Sequence, residues 1–88
     1  MENCLIGRVV VSLSGHDAGK AFLVIKEDEP FVYLCDGKVR TLEKPKKKKK
    51  KHVSVCEGHT DEVLISKLIN KEKVYDHDII RALKVADK

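Results

Sequence analysis

The chain has 88 residues, enough for one small domain with a limited hydrophobic core. Its formal net charge is +4, and two Tyr, two Phe and no Trp argue against recognition built mainly on aromatic stacking. No apolar run approaches the roughly 20 residues that span a bilayer. The acidic start Met1–Cys4 has no signal-peptide pattern, so we expect a cytoplasmic protein with no membrane partner.

Three strands are predicted in the first part of the chain. Val9–Leu13, Ala21–Ile25 and Phe31–Cys35 are apolar runs rich in branched and aromatic side chains, which pack well on a pleated surface. Gly15 and Gly19 lie between the first two strands. Because glycine adopts positive φ without a Cβ penalty, they predict a compact loop, residues 14–20, which we call the glycine loop.

A hairpin is predicted to follow the third strand. Asp36-Gly37 favours a two-residue type I′ turn, and the alternating Lys38–Leu42 would be the fourth strand. The alternating segment His52–Val55 predicts a short fifth strand. On the fourth strand, Lys38 and Arg40 either extend a basic surface or are solvated charges that protect a sheet edge from pairing.

The positive charge is concentrated in six consecutive lysines, Lys46–Lys51, which we call the lysine run. Residues 1–45 and residues 52–88 each contain 6 basic and 7 acidic residues. Adjacent ammonium groups repel one another, so we predict a mobile, extended loop that releases counterions when it binds a phosphate backbone. The alternative is a solubilising or localisation segment. Its position between two strands of one small domain favours RNA contact.

Two helices are predicted at the C-terminal end. Thr60 is placed to cap the first helix, and acidic residues follow it, where they complement the helix dipole. Asp76 is a candidate cap for a second helix with its own apolar stripe. We therefore divide the chain into residues 1–56, a β unit that includes a basic loop at 44–51, and residues 57–88, a helical extension. The helices pack on the β unit, on each other or on a protein partner.

The order of motifs resembles the KOW motif of archaeal and eukaryotic large-subunit ribosomal proteins, which have short bacterial relatives. The resemblance covers residues 5–56, and its motifs are Gly7-Arg8-Val9-Val10, Gly15-His16-Asp17-Ala18-Gly19-Lys20, Asp36-Gly37-Lys38-Val39-Arg40 and the lysine run ending in His52-Val53. It implies a mainly β fold, with a small five-stranded SH3-like barrel ahead of the two short α-helices. It also implies a non-catalytic RNA-binding protein of the translation machinery that contacts structured rRNA or the large ribosomal subunit.

The predicted RNA-binding residues lie in the glycine loop, in the lysine run and beside them. The resemblance places the glycine loop at an RNA-facing edge, with Asp17 in a structural role because a carboxylate repels phosphate. The predicted set is Arg8, Gly15, His16, Gly19, Lys20, Lys38, Arg40, Lys44, Lys46, Lys47, Lys48, Lys49, Lys50, Lys51 and His52. Lysine presents point charges without bidentate geometry, so the lysine run is expected to position the protein rather than to select a sequence.

Two other functions are weighed against this one. A protein-interaction module of the transcription-elongation KOW class would use the edge of the barrel and the helices. An enzyme is not expected, because the segment from Gly15 to Lys20 is one residue short of a P-loop and Ala21 stands where Ser or Thr is required. We expect no cofactor and no small-molecule substrate.

The three cysteines predict neither a disulfide framework nor a metal site. They are odd in number and widely spaced, at Cys4, Cys35 and Cys56. Cys56-Glu57-Gly58-His59 has the spacing of half a zinc site, but the other ligands of a tetrahedral site are missing. Small apolar fillers are the simpler interpretation of Cys4 and Cys35.

Overall fold

The structure is a computed structural model that describes residues 5–56 and 61–86. Within these ranges the chain forms five strands and two α-helices. They are β1 (Val9–Ser12), β2 (Ala21–Asp28), β3 (Phe31–Cys35), β4 (Lys46–Lys49), β5 (Val53–Val55), α1 (Glu62–Ile69) and α2 (Asp76–Ala86). A short 3-10 turn, Lys50–His52, joins β4 to β5. The prediction of a mainly β protein with two C-terminal helices is confirmed.

The five strands form one antiparallel sheet in the order β4-β3-β2-β1-β5. Adjacent strands pair mostly with their neighbours in sequence, and β1 also pairs with β5 at the far end of the chain's β segment. Strands β4 and β5 are the two edges of the sheet, which is not closed.

One face of the sheet is covered by the two helices. Leu64 of α1 and Ile79 of α2 pack against Val9, Leu23 and Cys35 in one buried apolar cluster. The amphipathic stripe of each helix is therefore used inside the molecule, on the sheet. Of the three arrangements left open for the helices, the structure has the one in which they pack on the β unit.

The close approach of helices and sheet requires glycine at two positions. Gly37 has φ +81°, and a Cβ built on it would lie 2.6 Å from the carbonyl oxygen of Asp76. Gly7 has φ +85°, and its Cβ would collide with Ile65 of α1. Because both positions combine a left-handed backbone with no room for a side chain, they locate the helices against the sheet.

The opposite face of the sheet buries a second cluster, to which the described side chains of the two helices do not contribute. Its members are Val10, Phe22, Val24, Val32 and Leu34, all 0–2 % exposed, with Leu5 and Val53 packed beside them. Lys48 of β4 donates to the Ser12 hydroxyl of β1 at 2.7 Å although β3 and β2 lie between these strands in the sheet, so the sheet bends strongly around this cluster. This strong curvature also brings the glycine loop close to β4.

The lysine run is not a mobile loop, and that prediction is wrong. Four of its residues form the edge strand β4, which pairs with β3 from Phe31 opposite Lys49 to Leu34 opposite Lys46. Successive side chains of a strand point to opposite faces, so neighbouring ammonium groups are separated rather than stacked. The aliphatic stems also cover apolar surface, as where the Nζ atom of Lys47 lies 4.3 Å from the centre of the Phe31 ring.

The predicted fourth strand, Lys38–Leu42, is also wrong, and with it the hairpin at Asp36-Gly37. The carboxylate of Asp36 accepts hydrogen bonds from the backbone N–H groups of Lys38 and Arg40, both at 2.9 Å. The Arg40 carbonyl in turn accepts from the N–H of Asp36 at 2.8 Å. An aspartate that satisfies its own backbone in this way favours a turn over a ladder, which leaves the edge of β3 to the lysine run.

The remaining boundaries agree closely with expectation. Strand β2 continues to Asp28, three residues beyond the predicted end. Asp61 caps α1, its side chain accepting from the N–H of Leu64, while the predicted cap Thr60 lies outside the described residues. The carboxylate of Asp76 accepts from the N–H of Leu42 at 2.9 Å and thereby connects the loop between β3 and β4 to α2.

Candidate nucleic-acid interface

The curvature of the sheet places the glycine loop, the 36–40 turn and strand β4 around one cleft of about 290 Å³. We call it the basic cleft, because four cationic side chains and only two acidic ones line it. Six of the predicted RNA-binding residues meet there, namely Gly15, His16, Lys20, Arg40, Lys46 and Lys48. The other lining residues are Asp17, Phe22, Asp36 and Val39.

Lys48 is the most buried charged residue of this region, with 8 % of its surface exposed. Its ammonium group donates to the hydroxyl of Ser12 at 2.7 Å, the carbonyl of Ser14 at 2.8 Å and Oδ1 of Asp17 at 2.9 Å. We call these three acceptors the acceptor cage. An ammonium group has three donors, so the cage uses all of them. Lys48 therefore fastens the glycine loop to β4.

The cage depends on an ionised Asp17. Burial opposes the charged form, but the hydrogen bonds from Lys48 and Ser12 and the adjacent ammonium charge outweigh it, so the pKa of Asp17 lies below its ordinary value. The Ser12 hydroxyl lies 3.0 Å from both Oδ1 of Asp17 and the Ser14 carbonyl, and it also accepts from Lys48. Asp17 therefore has the structural role expected for it, because its carboxylate accepts hydrogen bonds from Lys48 and Ser12.

The other lysines of the run differ in the face of β4 on which their side chains lie and in their exposure to solvent. Lys46 faces the basic cleft together with Lys48, whereas Lys47 and Lys49 lie exposed on the opposite face of β4. Lys51 is exposed in the 3-10 turn. Of these five lysines only Lys48 forms an ion pair with a carboxylate of the described residues. Lys46, Lys47, Lys49 and Lys51 thus keep their charges available to a ligand.

Lys50 is neutralised by two glutamates at the β2–β3 turn. Its ammonium group lies 2.6 Å from Glu27 and 2.5 Å from Glu29. The hydrogen bonds to these two carboxylates raise the pKa of Lys50. The backbone N–H of Lys50 also donates to the carbonyl of Pro30 at 2.9 Å, so the residue joins the end of β4 to the turn.

Besides Lys47, Lys49, Lys50 and Lys51, five predicted residues lie away from the basic cleft. Gly19 and Lys38 line a second cleft of about 500 Å³ between the sheet and α2. Arg8 precedes β1, and its Nε is buried without a hydrogen-bond acceptor among residues 5–56 and 61–86. Lys44 is exposed in the loop before β4, and the carbonyl of His52 accepts from the N–H of Leu13 at 2.9 Å.

Several residues of the cleft and its cage lie outside the predicted RNA-binding set, among them Phe22 and also Asp17, for which a structural role is expected. Ser12 supplies part of the cage, and Asp36 and Val39 line the cleft. The sequence feature that could have predicted the acceptor cage is the presence of Ser12, Ser14 and Asp17 at and just after the end of the first strand. Nothing in the sequence showed which of six identical lysines would fill it.

The part of the chain that the structure describes indicates neither a reactive cysteine nor a metal-binding site. Cys35 is fully buried in the apolar cluster beneath the helices, as expected for a filler, and burial raises its pKa to about 11. Cys4 lies outside the described residues. In residues 5–56 and 61–86 no three His, Cys, Asp or Glu side chains cluster as metal ligands do. No helix within these ranges has the length and apolar character to cross a membrane.

Comparison with known proteins gives no match, either to a protein-family model or to a curated protein.

Proposed function

We propose that this protein is a non-catalytic RNA-binding protein of the ribosomal KOW type. On this proposal it acts in the cytoplasm, on structured rRNA or on the large ribosomal subunit. The glycine loop and β4 form the binding surface, and phosphate recognition supplies most of the affinity. The motif order in residues 5–56 supports the assignment to the KOW class.

The convergence of the glycine loop and the lysine run on one basic cleft is the observation that carries this proposal. These segments are about thirty residues apart in the sequence, yet the Lys48–Asp17 ion pair joins them at 2.9 Å. Around that neutral pair, Lys20, Arg40 and Lys46 remain as cations. A rigid surface with several cations loses less entropy on binding than the mobile lysine loop expected from the sequence.

An SH3-like barrel is the fold that we propose for the β unit. The buried cluster on the curved face supports it, as does the position of β1 between β2 and β5. The 3-10 turn between the last two strands turns the chain from one edge of the sheet to the other.

The salt dependence of RNA affinity tests the proposal. We would replace Lys46, Lys47, Lys49 and Lys51 with Gln, leaving the buried Lys48 and the ion-paired Lys50 in place. If each of the four neutralises one phosphate, the slope of log K against log salt falls by about 3, at roughly 0.7–0.9 per phosphate. Affinity for a structured rRNA fragment would be measured by fluorescence anisotropy between low and high salt.

A matched control removes the same number of charges elsewhere. Lys67, Lys71, Lys73 and Lys84 belong to the helical part and are replaced with Gln in the control variant. We expect its salt slope to stay within experimental error of the unmodified chain. Equal slopes for the two variants would show that net charge, and not the β4 surface, determines binding.

A protein-interaction module is the second candidate, favoured by apolar side chains that α1 leaves in solvent. Val63 and Ile69 are more than half exposed, although the rest of the helix stripe is buried on the sheet. Such a module would retain its protein partner in the four-lysine Gln variant and after RNase treatment. Loss of the partner under either condition contradicts it.

A further inference from the structure

The basic cleft contains an apolar side chain that phosphate binding does not explain. Val39 is 77 % exposed, the highest value among the large apolar residues described, and it lines the cleft beside Arg40. The Asp36 turn holds it there, since hydrogen bonds on both sides of Val39 fix the backbone at Lys38 and Arg40. A phosphate backbone offers no apolar surface to such a residue, whereas the face of a nucleobase does.

The cleft also offers hydrogen-bond acceptors, which phosphates do not need. Oδ1 of Asp36 is engaged by two backbone N–H groups, and the second oxygen of the carboxylate adds acceptor capacity at the cleft. Oδ2 of Asp17 is buried and so lies out of reach of a ligand, which leaves Asp36 as the carboxylate available in the cleft. Amino groups of nucleobases are donors that match a carboxylate acceptor.

The size of the cleft limits what can enter it. About 290 Å³ lies at the lower end of the roughly 300–1,000 Å³ of pockets that enclose small molecules. One nucleotide is of this scale, but a helical stem is not. In RNA, bases are accessible for such contacts in loops and bulges, where they are not stacked in a helix.

We propose that the basic cleft receives one unpaired nucleotide of the RNA, with preference for a base that carries an amino group. The amino group donates to the carboxylate of Asp36, and the face of the base contacts Val39. The adjoining phosphates meet Lys20, Arg40 and Lys46. This inference rests on the proposed RNA-binding function and adds to it the class of nucleotide that is recognised.

Three RNA hairpins with a common stem test the inference on the full chain. One has a single bulged guanosine, one a single bulged uridine, and one is fully paired. We expect the guanosine bulge to bind about tenfold more tightly than the paired stem, and the uridine bulge to lie between them, because one good base contact contributes a factor of this order. Dissociation constants would be measured by fluorescence anisotropy at one salt concentration.

The possible outcomes separate this inference from the proposed function. Equal affinity for all three hairpins overturns the nucleotide site but leaves RNA binding intact. Tighter binding of both bulges with no difference between the two bases overturns the preference for an amino group, because uracil has a ring N3–H donor but no amino group. Failure to bind any hairpin, and any rRNA fragment, overturns the proposed function itself.

Two substitutions identify the contacts. Asp36→Asn keeps an oxygen for the two backbone N–H groups and replaces the other with a donor, so the guanosine preference is expected to fall to within twofold. Val39→Ser is expected to weaken the binding of both bulged hairpins several-fold and to leave the binding of the paired stem unchanged. Because the Val39 side chain is exposed, this substitution is not expected to disturb the fold. An unchanged guanosine preference in Asp36→Asn contradicts the assignment of that carboxylate.

Discussion

The two faces of the sheet are held together by different kinds of interaction. Beneath the helices, Leu23 and Ile79 belong to a buried cluster of apolar side chains. On the other face, the apolar cluster adjoins the acceptor cage, where a buried lysine fixes the glycine loop. The helix-covered face therefore depends mainly on the hydrophobic effect, while the geometry of the basic cleft depends also on charge.

This difference teaches that stability and site geometry can be perturbed separately. A cavity at Ile79 weakens the fold and leaves the acceptor cage in place, whereas the 36–40 turn of the cleft contacts α2 through Gly37. Loss of the cage affects the glycine loop directly and the fold to a smaller extent. The following substitutions test whether the two faces are as independent as their contacts indicate.

The largest effect is expected for Ile79→Ala beneath the helices. Ile79 is fully buried, and removal of its side chain leaves a cavity in the shared cluster. The free energy of unfolding is expected to fall by about 3–4 kcal/mol. Ile69→Ala on α1 is the matched control because Ile69 is 53 % exposed, and we expect it to change stability by less than about 1 kcal/mol. Equal losses in urea unfolding would show that Ile79 does not belong to the core.

The next effect is expected for Lys48→Met in the cage. The methionine retains most of the apolar stem but removes the ammonium donor from Asp17 and the Ser14 carbonyl, and the Ser12 hydroxyl has only one hydrogen to share between them. Unfolding free energy is expected to fall by about 2–3 kcal/mol, since a buried acceptor loses a charged partner.

A double-mutant cycle with Asp17→Asn separates the ion pair from general damage. We expect the double variant to lose less stability than the sum of the two single variants, because the second change removes a carboxylate already without its partner. Strict additivity in urea unfolding would mean that the two side chains do not interact.

A smaller, pH-dependent effect is expected from two aspartates, one on each face. The pKa of Asp17 is lowered in the cage, where hydrogen bonds outweigh burial, and that of Asp78 is lowered chiefly by the hydrogen bond from the Tyr75 N–H. Both carboxylates stabilise the fold above the ordinary value of 3.8, and this contribution is lost as the pH falls below it toward the folded-state values.

Thermal unfolding between pH 5 and pH 2.5 measures that contribution. Asp17→Asn is expected to lose less stability on acidification than the unmodified chain, and Asp78→Asn is expected to show a separate reduction of the same sign. An Asp17→Asn variant whose stability falls as steeply as that of the unmodified chain would place the acid-sensitive group elsewhere.

The smallest effect is expected for Lys50→Gln. Its ion pairs with Glu27 and Glu29 are less buried than that of Lys48, because the Lys50 side chain is 28 % exposed against 8 % for Lys48, so salt screens them more strongly. We expect a change in unfolding free energy well below that of Lys48→Met, and a difference that vanishes at high salt. A loss as large as that of Lys48→Met would contradict the distinction between the buried and the more exposed lysine.

Strands with a clear apolar pattern could be predicted from the sequence, and those without it could not. Phe31–Cys35 is a strand with the predicted bounds, since its side chains fill both clusters. Lys38–Leu42 has an alternating pattern, but the Asp36 carboxylate satisfies the local backbone and a turn forms instead. Local hydrogen bonding outweighed a pattern of only five residues.

The sequence predicts several residues of the basic cleft but does not predict what each of them contacts. The glycine loop and the lysine run were singled out by composition, and the structure brings parts of both to one cleft. The different roles of the lysines in the run depend on ion-pair partners remote in sequence, such as Asp17 for Lys48 and Glu27 for Lys50. Six identical residues carry no information about these partners, so their separate roles required the fold.

The identity of the residues in β4 has a consequence for the length of the lysine run. A strand of identical side chains has no preferred alignment of its own, because any shift presents another lysine to the same neighbours. The acceptor cage can hold any lysine of the run that faces it, because all six carry the same ammonium group. We therefore expect this tract to tolerate insertion or deletion of a lysine. The strand would slide by one residue, the loop before it would absorb the change, and the cage would remain filled.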